Sequence, residues 1–310
     1  MVSKPMRETP FTLRDLPQFS THEVGLAVLG HPISHSISPI LHNSALALLS
    51  NDDSIYANWS YERLDVRPED LKEALEVLAQ SGFQGLNLTI PHKVEVLKLL
   101  ENLDSQASAM GAVNTLKLCD DKWYGFNTDG FGLEKAINNE LGCKFESADV
   151  LILGAGGAAR AAAVQALLSG ARKIHVHNRS SHSLDQLLQI LHQEFNQSRT
   201  TGSTEENLDK EQFISHDWIV INATSLGLKK DDPSPLFIDP SKLGKKSVFY
   251  DMIYNPKQTV FLKKAKEAGF RSANGLSMLV YQAAKALEIW TEKEVSSHVM
   301  FEAAHEFLGD

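Results

Sequence analysis

The chain has 310 residues, of which 43% are hydrophobic and 22% charged, and its formal net charge at pH 7 is -9. This length is typical of about two domains, and the composition excludes a disordered or fibrous protein. The excess of acidic residues argues against nucleic acid as the main partner, although a local basic site can exist within an acidic protein.

Cysteine content and the N-terminus indicate the cellular setting. Cys119 and Cys143 show no metal-ligand spacing and are interpreted as free thiols, so nothing indicates an oxidising compartment. Residues 1–21 lack the apolar segment of a secretory signal, and no stretch approaches the ~20 apolar residues of a membrane helix. We therefore expect a cytoplasmic protein without a membrane partner, and we interpret residues 1–23 as an N-terminal extension that forms a flexible arm.

Strands and helices are predicted to alternate along the chain. Apolar runs and alternating patterns predict strands at 24–29, 56–64, 83–89, 149–153, 172–177, 218–222 and 248–252. Helical spacing predicts helices at 40–49, 68–80, 94–100, 158–168 and 260–268, and a largely helical segment at 278–308. The polar segment 196–210 is predicted to be a mobile loop or insertion. This alternation favours an α/β fold with a mostly parallel sheet covered by helices.

A glycine turn follows the strand at 149–153 and precedes the helix at 158–168. Its sequence is Gly154-Ala155-Gly156-Gly157-Ala158-Ala159-Arg160. Gly154 permits a tight turn, Gly156 lets the backbone approach a pyrophosphate, and Ala159 allows close packing of helix on strand. The free N–H groups at the helix start favour an anion. A glycine motif alone also fits an ordinary turn, but the flanking strand and helix favour dinucleotide binding.

The type of dinucleotide is indicated by the end of the next strand, Asn178-Arg179-Ser180. A fold that prefers NAD usually carries Asp or Glu there, to bind the ribose 2′-hydroxyl. Arg179 can instead pair with the 2′-phosphate of NADP, which an acid would repel. A solvated arginine at a strand end is the alternative, and the glycine turn upstream favours NADP.

Two loops in the first third of the chain carry paired polar residues. The loop bounded by Pro32 and Pro39 contains Ser36 and Ser38, which can direct two hydroxyls at one carboxylate, although such loops are often only turns. Asn87 and Thr89 alternate at a strand end, so we expect them to face the same side. Lys93 follows near the start of a helix, whose positive end can tune it for proton transfer, and a surface lysine is the alternative.

Two further loops place polar groups among glycines, where the backbone can approach a ligand closely. They are Gly111-Ala112-Val113-Asn114-Thr115 and Gly125-Phe126-Asn127-Thr128-Asp129-Gly130. Four histidines lie near these loops: His31, His35, His42 and His92. No acid or cysteine completes a ligand set with them, so we expect no metal.

Nine segments of the chain, taken in order, resemble the shikimate dehydrogenase family. They span Gly30 to Ala284 and read GHPISHSISP, NLTIPHK, GAVNT, GFNTDG, GAGGAAR, NRS, NATSLG, YDMIYNP and NGLSMLVYQAA. The resemblance implies a reversible, NADP-dependent reduction of 3-dehydroshikimate to shikimate, in the formation of chorismate and the aromatic amino acids. It also implies a small-molecule substrate and a monomer or homodimer.

The resemblance also implies roles for individual residues. Lys93 and Asp129 match the catalytic pair, and Ser36 and Ser38 match the carboxylate-binding pair. The residues that match polar contacts of the ring hydroxyls are Asn87, Thr89, Asn114 and Gln282. Tyr254 falls in a segment that, in this family, surrounds the nicotinamide or closes over the substrate. The implied cofactor contacts are Gly154, Ala155, Gly156, Gly157, Ala158, Asn178, Arg179, Thr224, Met252 and Gly275.

The fold implied by the family has two domains. An α/β substrate-binding domain comprises residues 24–129 and is completed by the C-terminal helices in residues 275–310. A Rossmann-type, doubly wound NADP-binding domain comprises residues 130–274. Gln282 gives the reason for the return of the chain, since a helix beyond the nucleotide domain supplies a substrate contact.

Three alternatives stay open at the level of sequence. A quinate or quinate/shikimate dehydrogenase would use NAD more readily, and Ser38 and Arg179 argue against it. A non-catalytic, ligand-sensing relative is disfavoured because Lys93 and Asp129 are both present. A chain fused to a dehydratase is disfavoured because 310 residues leave no room for a second enzyme.

Overall fold

The computed structural model describes residues 8–18 and 24–309 of the chain. Packing divides the chain into two units, one of Met1–Thr128 with Val280–Asp310 and one of Asp129–Leu279. The helix at Leu276–Thr291 therefore begins in the second unit and ends in the first. It stays a prediction that substrate binds to residues 24–129 with 275–310 and that NADP binds to residues 130–274.

The first unit contains a mixed sheet of six strands. They are β1 (Val24–Gly30), β2 (Trp59–Asp65), β3 (Phe83–Leu88), β4 (Asn102–Leu103), β5 (Thr115–Cys119) and β6 (Lys122–Phe126). Their order is β2-β1-β3-β5-β6-β4. Strand β1 pairs in parallel with β2 and β3, whereas β5 is antiparallel to both of its neighbours.

The second unit contains a parallel sheet of six strands. They are β7 (Asp149–Leu153), β8 (Lys173–His177), β9 (Thr200–Ser203), β10 (Ile219–Asn222), β11 (Val248–Asp251) and β12 (Arg271–Ala273). Their order is β12-β11-β10-β7-β8-β9, so the first strand in the chain lies in the middle and the order reverses there. This is the strand order of a Rossmann fold. The predicted α/β class with a Rossmann-type domain is confirmed.

Ten α-helices accompany these sheets in the described residues. They are α1 (Ser38–Asp52), α2 (Leu71–Gln80), α3 (His92–Glu95), α4 (Ser105–Met110), α5 (Asp129–Leu141), α6 (Gly157–Leu168), α7 (Ser181–Glu194), α8 (Val260–Glu267), α9 (Leu276–Thr291) and α10 (Ser297–Leu308). Short 3-10 helices lie at Leu13–Gln18, Ser54–Asn58, Pro68–Asp70, Val96–Leu99, Gln197–Arg199, Glu211–Phe213 and Pro240–Lys242. The helix predicted at 94–100 is therefore replaced by α3 and a 3-10 turn.

The prediction that residues 196–210 form a loop is wrong for part of this segment. Residues Thr200–Ser203 form the edge strand β9, which pairs in parallel with β8. The sequence pattern did not reveal the strand, because its side chains are polar and their hydrogen-bond partners lie on β8. His175 hydrogen-bonds through its two ring nitrogens to the hydroxyls of Thr201 (2.9 Å) and Ser203 (2.8 Å). A polar edge strand can thus be buried without an apolar pattern.

The N-terminal extension also differs from the prediction of a flexible arm in the part that is described, residues 8–18. Phe11 forms a parallel bridge with Leu64 of β2. Phe11 and Leu16 are buried in the hydrophobic core of the first unit, with relative exposures of 8% and 3%. The rest of the predicted extension, residues 1–7 and 19–23, lies outside the described residues.

Within residues 8–18 and 24–309, no helix is long and apolar enough to span a membrane. In the same ranges, no group of three His, Cys, Asp or Glu side chains is arranged to hold a metal ion. Two of the clustered histidines instead support loops. His31 Nδ1 lies 2.6 Å from the Asp65 carboxylate, and His92 Nε2 hydrogen-bonds to the carbonyl of Val66 at 2.8 Å.

Helix α9 packs closely against the first sheet at Gly85 of β3. A Cβ atom at residue 85 would lie 2.4 Å from the indole of Trp290. The same indole donates a hydrogen bond from Nε1 to the carbonyl of Leu116 at 2.8 Å. Glycine is therefore required here by the close approach of a helix rather than by a turn.

We expect Gly85→Ala to lower the free energy of unfolding by about 1–3 kcal/mol, because the added methyl group overpacks the contact with Trp290. Urea denaturation of the purified protein measures this loss. Gln84→Ala, at the exposed neighbouring position of β3, is the matched control. Equal stabilities of the two variants would contradict the packing argument.

Candidate active site

The structure brings the two predicted carboxylate-binding serines together. Ser38 is the first residue of α1, and Pro39 follows it at the helix start. The hydroxyl of Ser36 lies 3.1 Å from that of Ser38, and the amide of Ser38 donates to Ser36 Oγ at 3.3 Å. Both serines are half-buried. Two adjacent hydroxyls at the start of a helix can both donate to one carboxylate.

Asn87 lies near the end of β3 and is held by protein groups at both ends of its amide. Its Oδ1 accepts a hydrogen bond from the Tyr61 hydroxyl at 2.7 Å. Its Nδ2 donates to the carbonyl of Asn114 at 3.1 Å and to Thr115 Oγ1 at 3.0 Å. The orientation of Asn87 is therefore fixed, and its direct contact with a ring hydroxyl stays a prediction.

Asn114 is the centre of a second set of contacts in the first unit. Its Oδ1 accepts from the amide of Thr128 at 2.8 Å, and its Nδ2 donates to Thr128 Oγ1 at 3.0 Å. The same Nδ2 lies 3.5 Å from Oε1 of Gln282 on α9. The returning helix thus places Gln282 beside Asn114, and the contact of both residues with a substrate ring stays a prediction.

Two buried aromatic side chains support this cluster, and the sequence analysis assigned this role to neither of them. The ring of His42 on α1 stacks on Tyr61, with ring centroids 4.0 Å apart and an interplanar angle of 6°. Burial lowers the pKa of His42 to about 3, and burial raises the pKa of Tyr61 well above its usual value. Both side chains are therefore neutral near pH 7. The only sequence signal for Tyr61 was its place in a predicted strand.

Lys93, Thr89 and Asp129 occupy three different elements. Lys93 is the second residue of α3, and its carbonyl accepts from the amide of Val113 at 2.8 Å. Strand β3 ends at Leu88, so Thr89 lies just beyond it, where its amide donates to the carbonyl of Leu29 at 2.9 Å. Asp129 is the first residue of α5 and belongs to the second unit. The pairing of Lys93 with Asp129 stays a prediction.

The second unit contains a cavity of about 510 Å³ at the ends of its central strands. Six residues predicted to bind the cofactor line it: Gly154, Ala155, Gly156, Asn178, Arg179 and Thr224. Four others, Gly157, Ala158, Met252 and Gly275, are not among its lining residues. The lining also includes Glu205 and His177, which the sequence did not single out.

The glycine turn has the backbone geometry that the motif predicted. Gly154 has a φ of +110°, and a Cβ atom there would lie 3.0 Å from the carbonyl of Ala223. At Gly156 and Gly157 a Cβ atom would meet no protein atom within 4 Å. Helix α6 begins there, with Gly156 as its N-cap and no side-chain cap. The N–H groups at this end of the helix are therefore open to an anion, and the site fits a pyrophosphate.

The charges around the cavity are mixed. Arg179 is exposed, and the amide of Asn178 donates from Nδ2 to the carbonyl of Ser180 at 2.9 Å. Glu205 Oε1 lies 3.4 Å from Nε2 of His177, whose pKa is lowered by burial. Arg179 can pair with a phosphate, whereas Glu205 adds a carboxylate to the same cavity.

Thr224 is positioned by a buried network at the ends of β10 and β11. Its hydroxyl donates to Asn222 Oδ1 at 2.7 Å, and Asn222 Nδ2 donates to Asp251 Oδ1 at 2.9 Å. Asp251 also accepts from Thr259 Oγ1 at 2.5 Å and from the amide of Ile253 at 3.1 Å. Asp251 stands in the YDMIYNP segment, but sequence reasoning assigned it no role, because an acid at a strand end gives no sign of its partners.

Met252 and Gly275 meet within the second unit. A Cβ atom at residue 275 would lie 2.2 Å from the carbonyl oxygen of Met252, so only glycine fits. The amide of Gly275 donates to the carbonyl of Ile253 at 3.1 Å. Tyr254 follows and is half-buried, which raises the pKa of its phenol. The contact of Gly275 with residues 252 and 253 is thus made by backbone atoms.

A Rossmann-type unit with an open glycine turn, joined to a second α/β unit that holds clustered polar side chains, defines a dinucleotide-binding α/β protein. Family models agree with this class and refine it. The model of the shikimate dehydrogenase substrate-binding domain matches residues 28–116, and that of the shikimate 5′-dehydrogenase C-terminal domain matches residues 275–304.

Individual relatives extend this match over most of the chain. An NADP(+) shikimate dehydrogenase of Methanocaldococcus jannaschii is 38% identical over 275 residues, covering 89% of this chain and 94% of the relative. That of Methanococcus aeolicus is 36% identical over 283 residues, covering 91% and 97%. The crystal structure of shikimate 5-dehydrogenase from Thermus thermophilus with NADP(H) and shikimate has a TM-score of 0.76 and 32% identity, covering 91% and 99%. The chain belongs to the shikimate dehydrogenase family.

We expect the buried carboxyl of Asp251 to make stability depend on pH. Burial raises its pKa to about 6, above the value of about 3.9 in an unfolded chain. The protonated carboxyl therefore contributes to the stability of the folded state. This contribution is fully present below the unfolded pKa and is lost as the pH rises through about 6. We therefore compare the free energy of unfolding of wild type with that of Asp251→Asn. The difference, wild type minus variant, should fall by about 1 kcal/mol between pH 5 and pH 8.

Urea denaturation of both proteins at the two pH values measures this change. Asp185→Asn, at an exposed position of α7, controls for the loss of one carboxylate. A difference between wild type and Asp251→Asn that does not vary with pH would refute the assignment.

Proposed function

We propose that this protein is an NADP-dependent shikimate dehydrogenase, which interconverts 3-dehydroshikimate and shikimate in the cytoplasm on the route to chorismate. The observation that carries the proposal is the open glycine turn and Arg179 in one cavity of the second unit. The paired serines and the Asn114–Gln282 contact of the first unit supply groups for a small hydroxylated acid. Family membership supports the same reaction.

The proposed cofactor contacts follow from the geometry of the cavity and of the start of α6. The N–H groups at Gly156 and Gly157 would hold the pyrophosphate, and Arg179 would pair with the 2′-phosphate. Asn178 and Thr224 line the same cavity. Met252, Gly275 and the rest of the glycine turn would support this surface through the backbone. When bound, NADP supplies the acceptor or donor of the hydride.

The proposed substrate contacts orient the ring and move one proton. Ser36 and Ser38 would bind the carboxylate, while Thr89, Asn87, Asn114 and Gln282 would hold the hydroxyls and Tyr254 would close over them. A fixed ring presents one carbon to the cofactor, which is catalysis by positioning. Lys93 would take the proton of the reacting hydroxyl and return it in the reverse direction, with Asp129 as its partner.

The proposal is tested by initial rates with shikimate and with quinate, each combined with NADP and with NAD. We expect kcat/KM for shikimate with NADP to exceed the other three by about tenfold or more. NAD leaves Arg179 without its phosphate partner, and quinate carries an additional hydroxyl that would be buried without a partner of its own. NAD is included because Glu205 lines the cofactor cavity and a carboxylate can bind a ribose 2′-hydroxyl. Preference for quinate or NAD would overturn the proposed specificity. The absence of turnover in all four assays would overturn the proposed activity.

The role of Arg179 is tested in the same assay. In Arg179→Ala, kcat/KM for NADP should fall by about 10- to 100-fold, because one charge-assisted pair with the phosphate is lost. The value for NAD should change by less than about threefold, since NAD lacks that phosphate. Lys245→Ala removes the same charge from an exposed position outside the cavity lining and should leave both values unchanged.

The role of Lys93 is tested by Lys93→Ala. We expect kcat to fall by about 100- to 10,000-fold, the usual range for loss of a general acid–base, while the dissociation constant for shikimate stays largely unchanged. Stopped-flow turnover and calorimetric titration measure the two quantities. Lys98→Ala is the matched control, because Lys98 is exposed and its ammonium pairs with Glu95 at 2.7 Å. Near-normal turnover in Lys93→Ala would show that another group moves the proton.

A further inference from the structure

We propose that the described part of the N-terminal extension, residues 8–18, positions the serine loop between Gly30 and Pro39, and that Arg63 and Asp65 of β2 transmit this effect. The proposal rests on the proposed function, because the serine loop is there the binding site of the substrate carboxylate. It assigns a role to the extension and makes Arg63 a positioning residue rather than a catalytic one.

The extension is attached to the outer edge of the first sheet. Strand β2 lies at that edge, and the amide of Phe11 donates to the carbonyl of Arg63 at 2.8 Å. In return, the amide of Asp65 donates to the carbonyl of Phe11 at 2.8 Å. The side chains of Phe11 and Leu16 pack into the same core cluster as Leu64. The extension therefore covers the backbone of an edge strand that would otherwise be exposed.

The same two residues of β2 hold the serine loop by their side chains. Arg63 and Asp65 are two apart and so project from one face of the strand. Arg63 Nη1 donates to the carbonyl of Ser34, and Asp65 Oδ1 lies 2.6 Å from Nδ1 of His31. The amide of Val66 adds a hydrogen bond to the carbonyl of Gly30 at 3.1 Å. The end of β2 thus fixes the loop at three points.

One buried guanidinium joins the two segments directly. Arg63 has a relative exposure of only 4%, and its Nη2 donates to the carbonyl of Glu8 in the extension at 3.2 Å. A buried charge needs its acceptors, since an unpaired one is costly. Loss of the extension removes the carbonyl of Glu8 and uncovers β2, so the guanidinium would shift to regain acceptors.

Such a shift reaches the proposed carboxylate site through a short path. Ser34 precedes Ser36 by two residues, and the amide of Ser36 donates to the carbonyl of Ile33 at 3.1 Å. The amide of Ser38 in turn donates to Ser36 Oγ. Small displacements of groups that orient a substrate are costly to its binding and turnover. The effect should therefore fall on the substrate and not on the cofactor.

The first test compares full-length protein with a form that lacks residues 1–18 and with Arg63→Met. We expect KM for shikimate to rise by about tenfold in both, with KM for NADP changed by less than about twofold, because only the serine loop is displaced. Arg63→Lys should be intermediate, since an ammonium can still donate to a carbonyl. Arg67→Met, at an exposed position just beyond β2, should behave as wild type. An equal rise of both KM values would overturn the proposal.

The second test locates the effect at the carboxylate. The methyl ester of shikimate keeps the ring hydroxyls but lacks the negative charge. The preference of the enzyme for the acid over the ester should fall in the truncated form and in Arg63→Met. A general loss of structure would weaken both compounds in parallel, and that result would reject the positioning role.

The third test uses the unmodified chain and decides the matter even if the variants do not fold. Coupling is reciprocal, so saturating shikimate should slow hydrogen exchange in residues 8–18, including the amide of Phe11. If shikimate binds without slowing exchange in this segment, the coupling between the extension and the serine loop is refuted, while the proposed function stands. If the wild-type protein neither binds nor turns over shikimate, the proposed function itself is wrong, and this proposal is wrong with it.

Discussion

The close contact between Trp290 and Gly85 sets the position of α9 on the first sheet, and the polar cluster of that unit depends on it. The indole is held by the carbonyl of Leu116 and leaves no room for a side chain at residue 85. Gln282 lies eight residues earlier on the same helix, a spacing that puts both side chains on one face. The contact that buries Trp290 therefore also brings Gln282 to Asn114.

Both units use the same device to hold polar groups at strand ends. In the first, Asn87 of β3 bonds to Tyr61 and to the neighbouring loop at Asn114. In the second, Asn222 of β10 bonds to Asp251 and orients Thr224. A buried amide needs partners for its oxygen and its nitrogen, so each asparagine fixes groups from two segments at once. The network makes these positions rigid before any ligand arrives.

The elements that were predicted well are those whose side chains face an apolar surface. Strand β7 is buried throughout, and its apolar run gave its bounds at Asp149 and Leu153. Strand β9 escaped prediction because its buried Ser203 is satisfied by histidines of β8 rather than by apolar packing. The packing of the extension was not predicted because Phe11 and Leu16 belong to no continuous apolar run, and Leu64, which pairs with Phe11, lies far along the chain.

The sequence by itself determined the α/β class, the glycine turn, the place of Arg179 at the end of β8 and the family, because these depend on local patterns and on short motifs in a fixed order. Only the tertiary structure decided that Tyr61 and His42 lie beneath Asn87, that Asp251 supports Thr224, and that Arg63 connects the extension to the serine loop. These contacts join residues distant in sequence. Their side chains become partners only when burial removes water and each polar group must find a new hydrogen bond.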